Sequence, residues 1–492
     1  MAYVGAIDQG TTSTRFVIVD DSGRFVSMSQ MEHTQFLPQP GWVEHDAEEI
    51  WRNTESVVRG ALDEAGLTAE DLAAVGITNQ RETTVIWDRE TGMPVAPAIV
   101  WQDTRTARIA RDLNAASGEK IRQITGLPPA TYFAGPKVRW MLENDDAIRD
   151  LADVGRIAFG TIDSWLAFKL TGLHITDVTN ASRTMLMDLA TLKWDAGLCD
   201  LVGIPMSMLP EIVPSIGTMG ECTGVLQGAP LACMLGDQHA ALFGQAGFDV
   251  GATKVTYGTG AFLVANTGHE IVRSDEGLLT TVAFQISGQA ATYALEGSVA
   301  VAGSGVQWLR DQLGLISEAP EVEELAATVD DNGDVFFVPA FSGLFAPYWR
   351  DDARAVLVGM TRFSNKGHIA RAVLESTAFQ VRDVLAAMER DTGVTLDEIR
   401  VDGGMVENDM LMQFQADILD IDVVVPQVTE TTVLGAAYGA GIAAGVWKDE
   451  HAVAQQWREA SRVQPTMGDA DRSVLVRGWE KAIDRSLGWV EE

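Results

Sequence analysis

A polar loop near the start of the chain carries side chains suited to holding a phosphate chain. Asp8 and Gly10 lie between two apolar runs, residues 3–7 and 16–19, which predict two strands joined by a tight loop. Four consecutive hydroxyl residues, Thr11 to Thr14, follow the glycine. Such a loop can direct N–H groups and hydroxyls at phosphate while its carboxylate holds hydrated Mg²⁺. The alternative is an ordinary polar β-turn.

The same design occurs again in the second half of the chain. Residues 253–264 predict strand, Gly/Thr loop and strand, with Thr259 in the loop. Two such hairpins indicate two similarly folded lobes that face a shared cleft. Glycines bracket a polar turn at residues 246–252, where we expect the domain boundary. We therefore predict an N-terminal lobe at 1–247, in which residues 162–170 have helical spacing, and a C-terminal lobe at 248–492. The last 45 or so residues are amphipathic and predict closing helices.

Asp237 is the first candidate for acid–base chemistry. It stands between Gly236 and Gln238 and directly before an apolar pattern with helical spacing. The common interpretation of such an aspartate is a helix N-cap. The functional interpretation is a general base in a cleft, beside a glutamine that can hydrogen-bond a neutral substrate.

Arg81 and Glu82 follow a short apolar strand and supply a donor beside an acceptor. That combination suits a polyol, whose hydroxyl groups both donate and accept. A solvated surface charge pair is the alternative. Trp101 ends another apolar strand and Tyr132 lies in a proline-bounded loop, so each is a candidate for covering the carbon skeleton of a small polyol.

A third cluster, residues 401–408, predicts a strand, a carboxylate, a glycine pair and a helix that begins around Asn408. Glycines at such a turn allow close approach of a ligand, and a helix N-terminus favours anions. We expect the turn at 303–307 to serve the same nucleotide. The sequence contains no GxxxxGK[ST] motif, which excludes a P-loop nucleotide site.

The composition excludes several classes of partner. The chain has 492 residues, a formal net charge of −33 and a pI near 4.5, so nucleic acid and anionic lipid are poor partners. Its three cysteines lack metal-site spacing and indicate reduced thiols. No secretory leader precedes the first strand and no apolar stretch is long enough for stable membrane insertion. We therefore expect a cytoplasmic enzyme.

The chain resembles the FGGY family of carbohydrate kinases, within the actin/Hsp70-like ATPase superfamily, and among them the members that phosphorylate glycerol. The similarity extends from Tyr3 to about Trp447. It is carried by these segments: DQGTTSTR (8–15), PGWVEHD (40–46), GITNQRETT (76–84), AIVWQDTRT (98–106), TNASRTML (179–186), GDQHAALFGQ (236–245), TYGTGAF (256–262), ALEGS (294–298), QWLRD (307–311), APYW (346–349) and VDGGMVEN (401–408).

The resemblance implies an α/β fold of two ribonuclease-H-like lobes, each with a five-stranded mixed sheet, around a central cleft. It implies ATP and Mg²⁺ as cofactors, glycerol as substrate, ADP and sn-glycerol 3-phosphate as products, and a homo-oligomer, dimer or tetramer. The implied roles are Mg²⁺ for Asp8; phosphate for Thr11, Thr12, Ser13, Arg15 and Thr259; adenosine for Gly303, Gln307, Gly404 and Asn408; glycerol for Arg81, Glu82, Trp101, Tyr132, Asp237, Gln238 and Phe262; and catalytic base for Asp237.

Two rival functions remain open at this point. An actin- or chaperone-like ATPase would share the phosphate loops, but it has no need of the Arg81–Glu82 pair or of Asp237 beside a glutamine. A kinase of the same family acting on a pentose or gluconate would use the same scaffold. The aromatic residues Trp101, Tyr132 and Phe262 favour a small acceptor.

Overall fold

The computed structural model describes residues 2–490. Its strands follow the apolar runs, and the first of them, YVGAIDQ, is buried from its second residue onward. The strands are β1 (Tyr3–Gln9), β2 (Ser13–Asp20), β3 (Phe25–Glu32), β4 (Glu44–His45), β5 (Leu72–Asn79), β6 (Thr84–Asp88), β7 (Ala98–Ile99), β8 (Ile157–Thr161), β9 (Ile175–Asp177), β10 (Met187–Asp188), β11 (Lys193–Trp194), β12 (Glu211–Val213), β13 (Ile216–Glu221), β14 (Pro230–Gly236), β15 (Thr253–Tyr257), β16 (Ala261–Gly268), β17 (Leu279–Phe284), β18 (Thr292–Val299), β19 (Phe336–Val338), β20 (Val356–Val358), β21 (Glu398–Asp402), β22 (Asp422–Pro426) and β23 (Glu459–Val463).

Helices alternate with these strands, and several are capped by aspartate or asparagine side chains at the N-terminus and by left-handed glycines at the C-terminus. The α-helices are α1 (Ala47–Ala65), α2 (Ala107–Thr125), α3 (Ala134–Asn144), α4 (Asp146–Asp153), α5 (Ile162–Thr171), α6 (Val178–Ala181), α7 (Ala196–Val202), α8 (Asp237–Gly244), α9 (Gly303–Asp311), α10 (Glu321–Ala326), α11 (Lys366–Thr392), α12 (Asp409–Leu419), α13 (Thr431–Ala443), α14 (Glu450–Ala454) and α15 (Asp469–Ser486), with short 3₁₀ turns at Ala69–Asp71, Met206–Met208, Gly224–Leu226 and Gly404–Glu407.

Two mixed sheets organise the two lobes and share one strand order. The first sheet runs β3-β2-β1-β5-β14-β13, and the second runs β17-β18-β16-β15-β21-β22-β23. In each, an antiparallel hairpin (β1–β2 or β15–β16) is followed by two strands parallel to its first member. The predicted five-stranded unit is therefore present twice. It carries one additional edge strand in the first sheet and two in the second, because short flanking segments pair with its open edges.

Each sheet is covered by helices that bury its apolar face. In the first sheet, β1, β2 and β5 pack against α1 and α5 through residues such as Phe16, Ile50 and Trp165. In the second, β15 and β21 pack against α11, α12 and α15 through Phe379, Phe414 and Trp479. The hairpin loops stand at the ends of the central strands, so the packing of both sheets fixes their position.

Helices α8 and α13 cross at close range between the two sheets. Helix α13 belongs to the C-terminal half of the chain, yet it packs on the first sheet through Val433, Ala436 and Ala440. The crossing needs glycine on both sides. A Cβ on Gly244 would collide with the carbonyl of Thr431, and a Cβ on Gly435 would collide with the carbonyl of Ala240. The helix that begins at Asp237 is thus held by backbone contact with the other half of the chain.

Two segments differ from the sequence-based expectation. Residues 303–307 form the first turn of α9 rather than an isolated turn, since the apolar spacing of Val306 and Leu309 continues the helix. The C-terminal 45 or so residues, predicted as closing helices, also contain β23, which pairs with β22 at the sheet edge.

Within residues 2–490, no helix is both long and apolar enough to cross a membrane. The three cysteines are free and buried.

Candidate active site

The first hairpin loop places a buried carboxylate beside a tight turn. The Gly10 N–H donates to the Ser13 carbonyl at 2.9 Å and closes the turn between β1 and β2. Asp8 Oδ2 lies 3.0 Å from Arg15 Nε, and the same guanidinium also contacts Glu430, the residue before α13. Burial raises the pKa of Asp8 to about 6, with Arg15 opposing the shift. The hydroxyl residues Thr11, Thr12 and Ser13 follow Gly10 in this loop.

The second hairpin loop is joined to the N-terminus of α9. The Thr259 carbonyl accepts from the N–H groups of Ala302 and Ser304, each at 3.0 Å, and from Ser304 Oγ at 2.9 Å. The Gly303 N–H donates to Gly258 O at 3.0 Å, and a Cβ at Gly303 would stand only 2.7 Å from that oxygen. Thr259 and Gly303 therefore belong to one rigid turn, with Gln307 exposed one helical turn further along.

The predicted adenosine segments lie side by side. Gly403 has a left-handed φ of +91°, because β21 turns there into the short 3₁₀ turn that contains Gly404. A Cβ on Gly303 would lie 3.4 Å from Met405 Sδ of this turn, whereas a Cβ on Gly404 would meet no atom within 4 Å. Asn408 caps α12 by accepting from the Leu411 N–H at 2.8 Å. The two glycine segments thus form adjoining walls, while the Asn408 side chain already has a structural partner.

Arg81 and Glu82 are part of a buried chain of alternating charges. Arg81 Nε lies 3.0 Å from Asp237 Oδ1, and the two terminal nitrogens of Arg81 contact Glu296, with NH2 at 3.0 Å. Arg183 NH2 donates to Glu296 Oε1 at 3.2 Å, and Arg183 Nε donates to Glu82 at 2.7 Å. We call Asp237, Arg81, Glu296, Arg183 and Glu82 the charge chain. Arg81 and Glu82 therefore pair with other residues and not with one another.

The charge chain is removed from water except at one end. The side chains of Arg81, Glu82, Arg183 and Glu296 are at most 2 % exposed, whereas that of Asp237 is 30 % exposed. Burial favours the neutral form of Glu296, but Arg183 and Arg81 outweigh it and hold its pKa at about 2. Glu296 thus remains ionised in the interior. Burial raises the pKa of Glu82, with Arg183 and Arg81 opposing the shift. The charge chain ends at Asp237, a carboxylate that reaches solvent.

The aromatic candidates form one edge-to-face cluster. The Trp101 ring centroid is 5.7 Å from that of Tyr132 and 6.2 Å from that of Phe262. The Trp101 indole N–H also donates to Thr11 Oγ1 at 2.9 Å, which links this cluster to the first hairpin loop. Burial raises the pKa of the Tyr132 phenol, so it remains a neutral hydroxyl. The cluster therefore provides an apolar wall whose polar groups are the Tyr132 hydroxyl and the Trp101 indole N–H.

Asp237 is the first residue of α8 and not its N-cap. The cap position is Gly236. The Asp237 carboxylate accepts from the N–H of the next residue, Gln238, at 2.7 Å, whereas a capping side chain accepts from an amide two or three residues beyond its own position. Both that bond and the ion pair with Arg81 use Oδ1. Within residues 2–490, no hydrogen bond ends at Oδ2, so this oxygen has no partner there.

Both halves of the chain match the domains of one family. Residues 3–244 match the N-terminal domain, and residues 253–444 the C-terminal domain, of the FGGY family of carbohydrate kinases. The chain belongs to the FGGY family of carbohydrate kinases. It is thus a kinase, and its paired sheets have the actin-like two-lobe ATPase fold of that family.

Full-length relatives of this FGGY kinase support that assignment. The chain is 57 % identical over 495 residues to a glycerol kinase of Chloroflexus aurantiacus (99 % of each chain), and 57 % identical over 498 residues to one of Clavibacter michiganensis (100 % and 99 %). Its fold matches the crystal structure of Plasmodium falciparum glycerol kinase with ADP (TM-score 0.93, 38 % identity, 100 % and 99 % covered). It also matches a xylulose kinase from Lactobacillus acidophilus (TM-score 0.86, 21 % identity, 99 % and 97 % covered), where the likeness concerns the fold alone.

The carboxylates of this FGGY kinase fit a magnesium ion carried by the nucleotide. Among the described residues, no group of three or more histidine, cysteine, aspartate or glutamate side chains is arranged to enclose a metal. Mg²⁺ commonly binds through one or two carboxylates together with water and substrate phosphates. Asp8, with the negative charges of Glu430 and Asp237 nearby, offers that partial donor set.

Three residues that contact this site of the FGGY kinase, Glu296, Arg183 and Lys254, were not among the candidates predicted from the sequence. Glu296 and Arg183 lie in the ALEGS and TNASRTML segments, where their partners are distant in sequence. Lys254 is fully buried on β15; its ammonium contacts the Gln238 amide oxygen and donates to Thr256 Oγ1 at 2.9 Å. Burial lowers the pKa of Lys254 to about 8. For Glu296 and Lys254, the signal that could have found them is a charged residue inside a largely apolar strand. Arg183 lies in the turn that follows α6, where no such pattern exists.

Proposed function

We propose that this enzyme transfers the γ-phosphoryl group of ATP to glycerol, giving sn-glycerol 3-phosphate and ADP. One observation carries the proposal: the 57 % identity to glycerol kinases along essentially the whole chain. The geometry of the charge chain and the aromatic cluster agrees with it, because a small polyol needs donors and acceptors on one side and an apolar surface on the other.

The nucleotide would lie between the two hairpin loops. Thr11, Thr12, Ser13 and Arg15 in the first loop and Thr259 in the second would hold its phosphates through hydroxyl and N–H donors and the guanidinium charge. Asp8 would hold Mg²⁺, which neutralises charge on the β- and γ-phosphates when bound. The adenosine would lie against Gly303, Gln307, Gly404 and Asn408, and the ADP complex of the Plasmodium relative supports a nucleotide in this fold.

Glycerol would lie between the charge chain and the aromatic cluster. Arg81, Glu82, Tyr132 and Gln238 would bind its hydroxyls, and Trp101 and Phe262 would cover its carbons. Lys254 already binds the Gln238 oxygen, so the amide NH₂ of Gln238 would face the ligand as a donor.

Asp237 would act as the general base. As the glycerol oxygen forms its bond to the γ-phosphorus, the bond from that phosphorus to the β,γ-bridging oxygen breaks and ADP leaves. The hydroxyl proton passes to Oδ2, the free oxygen of Asp237. Transfer of this kind requires in-line positioning and charge compensation more than covalent help. Approach of the two lobes, which we divide at 247/248, would exclude the water that otherwise hydrolyses ATP.

The test is a coupled ADP-release screen across glycerol, dihydroxyacetone, xylulose, ribulose and gluconate, with a no-acceptor control for ATPase activity. We expect saturable ADP release with glycerol and formation of sn-glycerol 3-phosphate. Activity on a pentulose or gluconate with none on glycerol would refute the substrate, and ADP release independent of every acceptor would refute the kinase reaction. Sedimentation of the purified enzyme would test the homo-oligomer, dimer or tetramer, that we expect for this family.

A further inference from the structure

Glu296 is the centre of the charge chain and comes from the opposite half of the protein to its partners. It lies on β18 of the second sheet, whereas Arg81 and Arg183 belong to the N-terminal half. Its side chain is 0 % exposed. A buried carboxylate is costly unless it is paired and hydrogen-bonded, and both oxygens of Glu296 are engaged by guanidinium nitrogens.

The contacts of Glu296 determine how Arg81 meets the catalytic aspartate. The two terminal nitrogens of Arg81 are held by Glu296, so Arg81 reaches Asp237 through Nε, at 3.0 Å from Oδ1. Arginine frequently pairs with a carboxylate in a bidentate fork. Without Glu296 as partner, such a fork from Arg81 to Asp237 would occupy Oδ2 as well as Oδ1.

Glu296 also fixes the other end of the chain. It binds Arg183 NH2 at 3.2 Å, and Arg183 Nε holds Glu82 at 2.7 Å. Glu82 has a left-handed φ of +61°, a backbone conformation that costs free energy for a non-glycine residue and needs support from its surroundings. The Arg183 contact gives that support, and it depends on the orientation set by Glu296.

We propose that Glu296 is the positioning residue of the acceptor site. It holds Arg81 and Arg183 so that Asp237 keeps one oxygen free for the substrate proton and Glu82 stays directed at the substrate. Glu296 acts through the two arginines and takes no part in proton transfer. The proposal rests on the function proposed above, since it assigns Asp237 and Glu82 to the glycerol reaction.

Glu296→Gln tests the proposal with little change of side-chain volume. We expect kcat/KM for glycerol to fall on the order of 10²-fold, through both a higher KM and a lower kcat, because the base and the acceptor lose their alignment. MgADP affinity, measured by calorimetry, should change by less than about twofold, since the nucleotide contacts are elsewhere. Glu296→Asp keeps the charge on a shorter side chain and should recover about tenfold of the loss.

Glu375→Gln is the matched control. Glu375 is also a buried carboxylate paired with an arginine, accepting from Arg371 Nε at 2.8 Å and from Asn332, but it lies on α11 and outside the charge chain. We expect this variant to retain the wild-type KM and kcat per ADP-binding site. The comparison separates loss of positioning from a general loss of folded enzyme, which lowers only the number of binding sites.

A second measurement tests whether Glu296 affects turnover through Asp237. In an Asp237→Asn background, Glu296→Gln should lower kcat by less than about threefold, because effects of residues that act as a unit are not additive.

The possible outcomes have distinct meanings. A wild-type enzyme that does not phosphorylate glycerol refutes the proposed function and not the positioning by Glu296. An active wild type with unchanged KM and kcat in Glu296→Gln refutes the positioning role, as does full additivity with Asp237→Asn. If Glu296→Gln does not fold, wild-type kinetics in Glu296→Asp refute the role instead.

Discussion

At the scale of single residues, Asp237 has one carboxylate oxygen engaged and one free. Asp237→Asn keeps the shape and the acceptor oxygen for the Gln238 N–H but cannot take a proton. We expect kcat for glycerol phosphorylation to fall by roughly 10²–10⁴-fold with MgADP affinity and Tm nearly unchanged, the usual effect of losing a general base. Steady-state kinetics and calorimetry measure both quantities. An asparagine variant with wild-type turnover would mean that Asp237 has only a structural role.

Asp163, in the first turn of α5, gives a prediction about stability. It is fully buried, and burial raises its pKa to about 7 although Thr161 and Thr176 donate to it. The native state therefore binds a proton that the unfolded chain releases between about pH 4 and pH 7, so this group lowers stability as pH rises through that range. Asp163→Asn removes the titrating group. Between pH 5 and pH 8 the Tm of both proteins should fall, and the fall should be smaller for Asp163→Asn than for the wild type by about 3 °C or more.

The matched comparison is Asp195→Asn at the N-cap of α7, where the carboxylate accepts from the Leu198 N–H and asparagine caps equally well. Its pH dependence should follow that of the wild type. A parallel pair of Tm–pH curves for Asp163→Asn and wild type would show that Asp163 titrates as it does in the unfolded chain.

At the scale of elements, one hydrogen bond joins the loop after β7 to the β1–β2 hairpin. Trp101→Phe keeps an aromatic wall but removes the N–H that donates to Thr11 Oγ1. We expect the glycerol KM to change by less than about threefold, while the increase in MgADP affinity caused by glycerol falls by about 2- to 10-fold, the range of one hydrogen bond. Calorimetric titration of MgADP with and without glycerol measures this coupling.

Thr11→Val removes the acceptor of the same bond, so the double variant should show no further loss of coupling beyond Trp101→Phe. Unchanged coupling in both single variants would mean that the two loops respond to their ligands independently.

The elements themselves were largely predictable, and their long-range contacts were not. Local apolar spacing predicted a helix at 162–170, observed as Ile162–Thr171, and both Gly/Thr hairpins. The same patterns missed β23, because the helical interpretation extended over a short edge strand. In the site, the motif segments contain Arg81, Glu82 and Asp237, which the structure brings into one chain of contacts. The pairing of Arg81 with Glu296 spans 215 positions, and one sequence contains no local signal for such a contact.

At the scale of the whole molecule, the surface charge is strongly one-sided, with 69 acidic and 36 basic residues. Mutual repulsion opposes the compact state, and salt screens it. We expect Tm at pH 8 to rise by about 2–5 °C between 20 mM and 300 mM KCl. The rise should be smaller at pH 5.5, closer to the pI near 4.5. A Tm that falls with salt at pH 8 would show that surface ion pairs outweigh the repulsion.

The crossing of α8 and α13 has a consequence for inheritance. Gly244 and Gly435 are far apart in the gene, but each tolerates the other helix only because it lacks a side chain. We therefore expect selection to constrain the two positions together, because a side chain at either one would force the helices apart. Recombination between two family members should yield working hybrids when both parents have this glycine pair. A hybrid that joins a glycine from one parent to a bulkier residue from the other should be purged, however similar the remaining sequence.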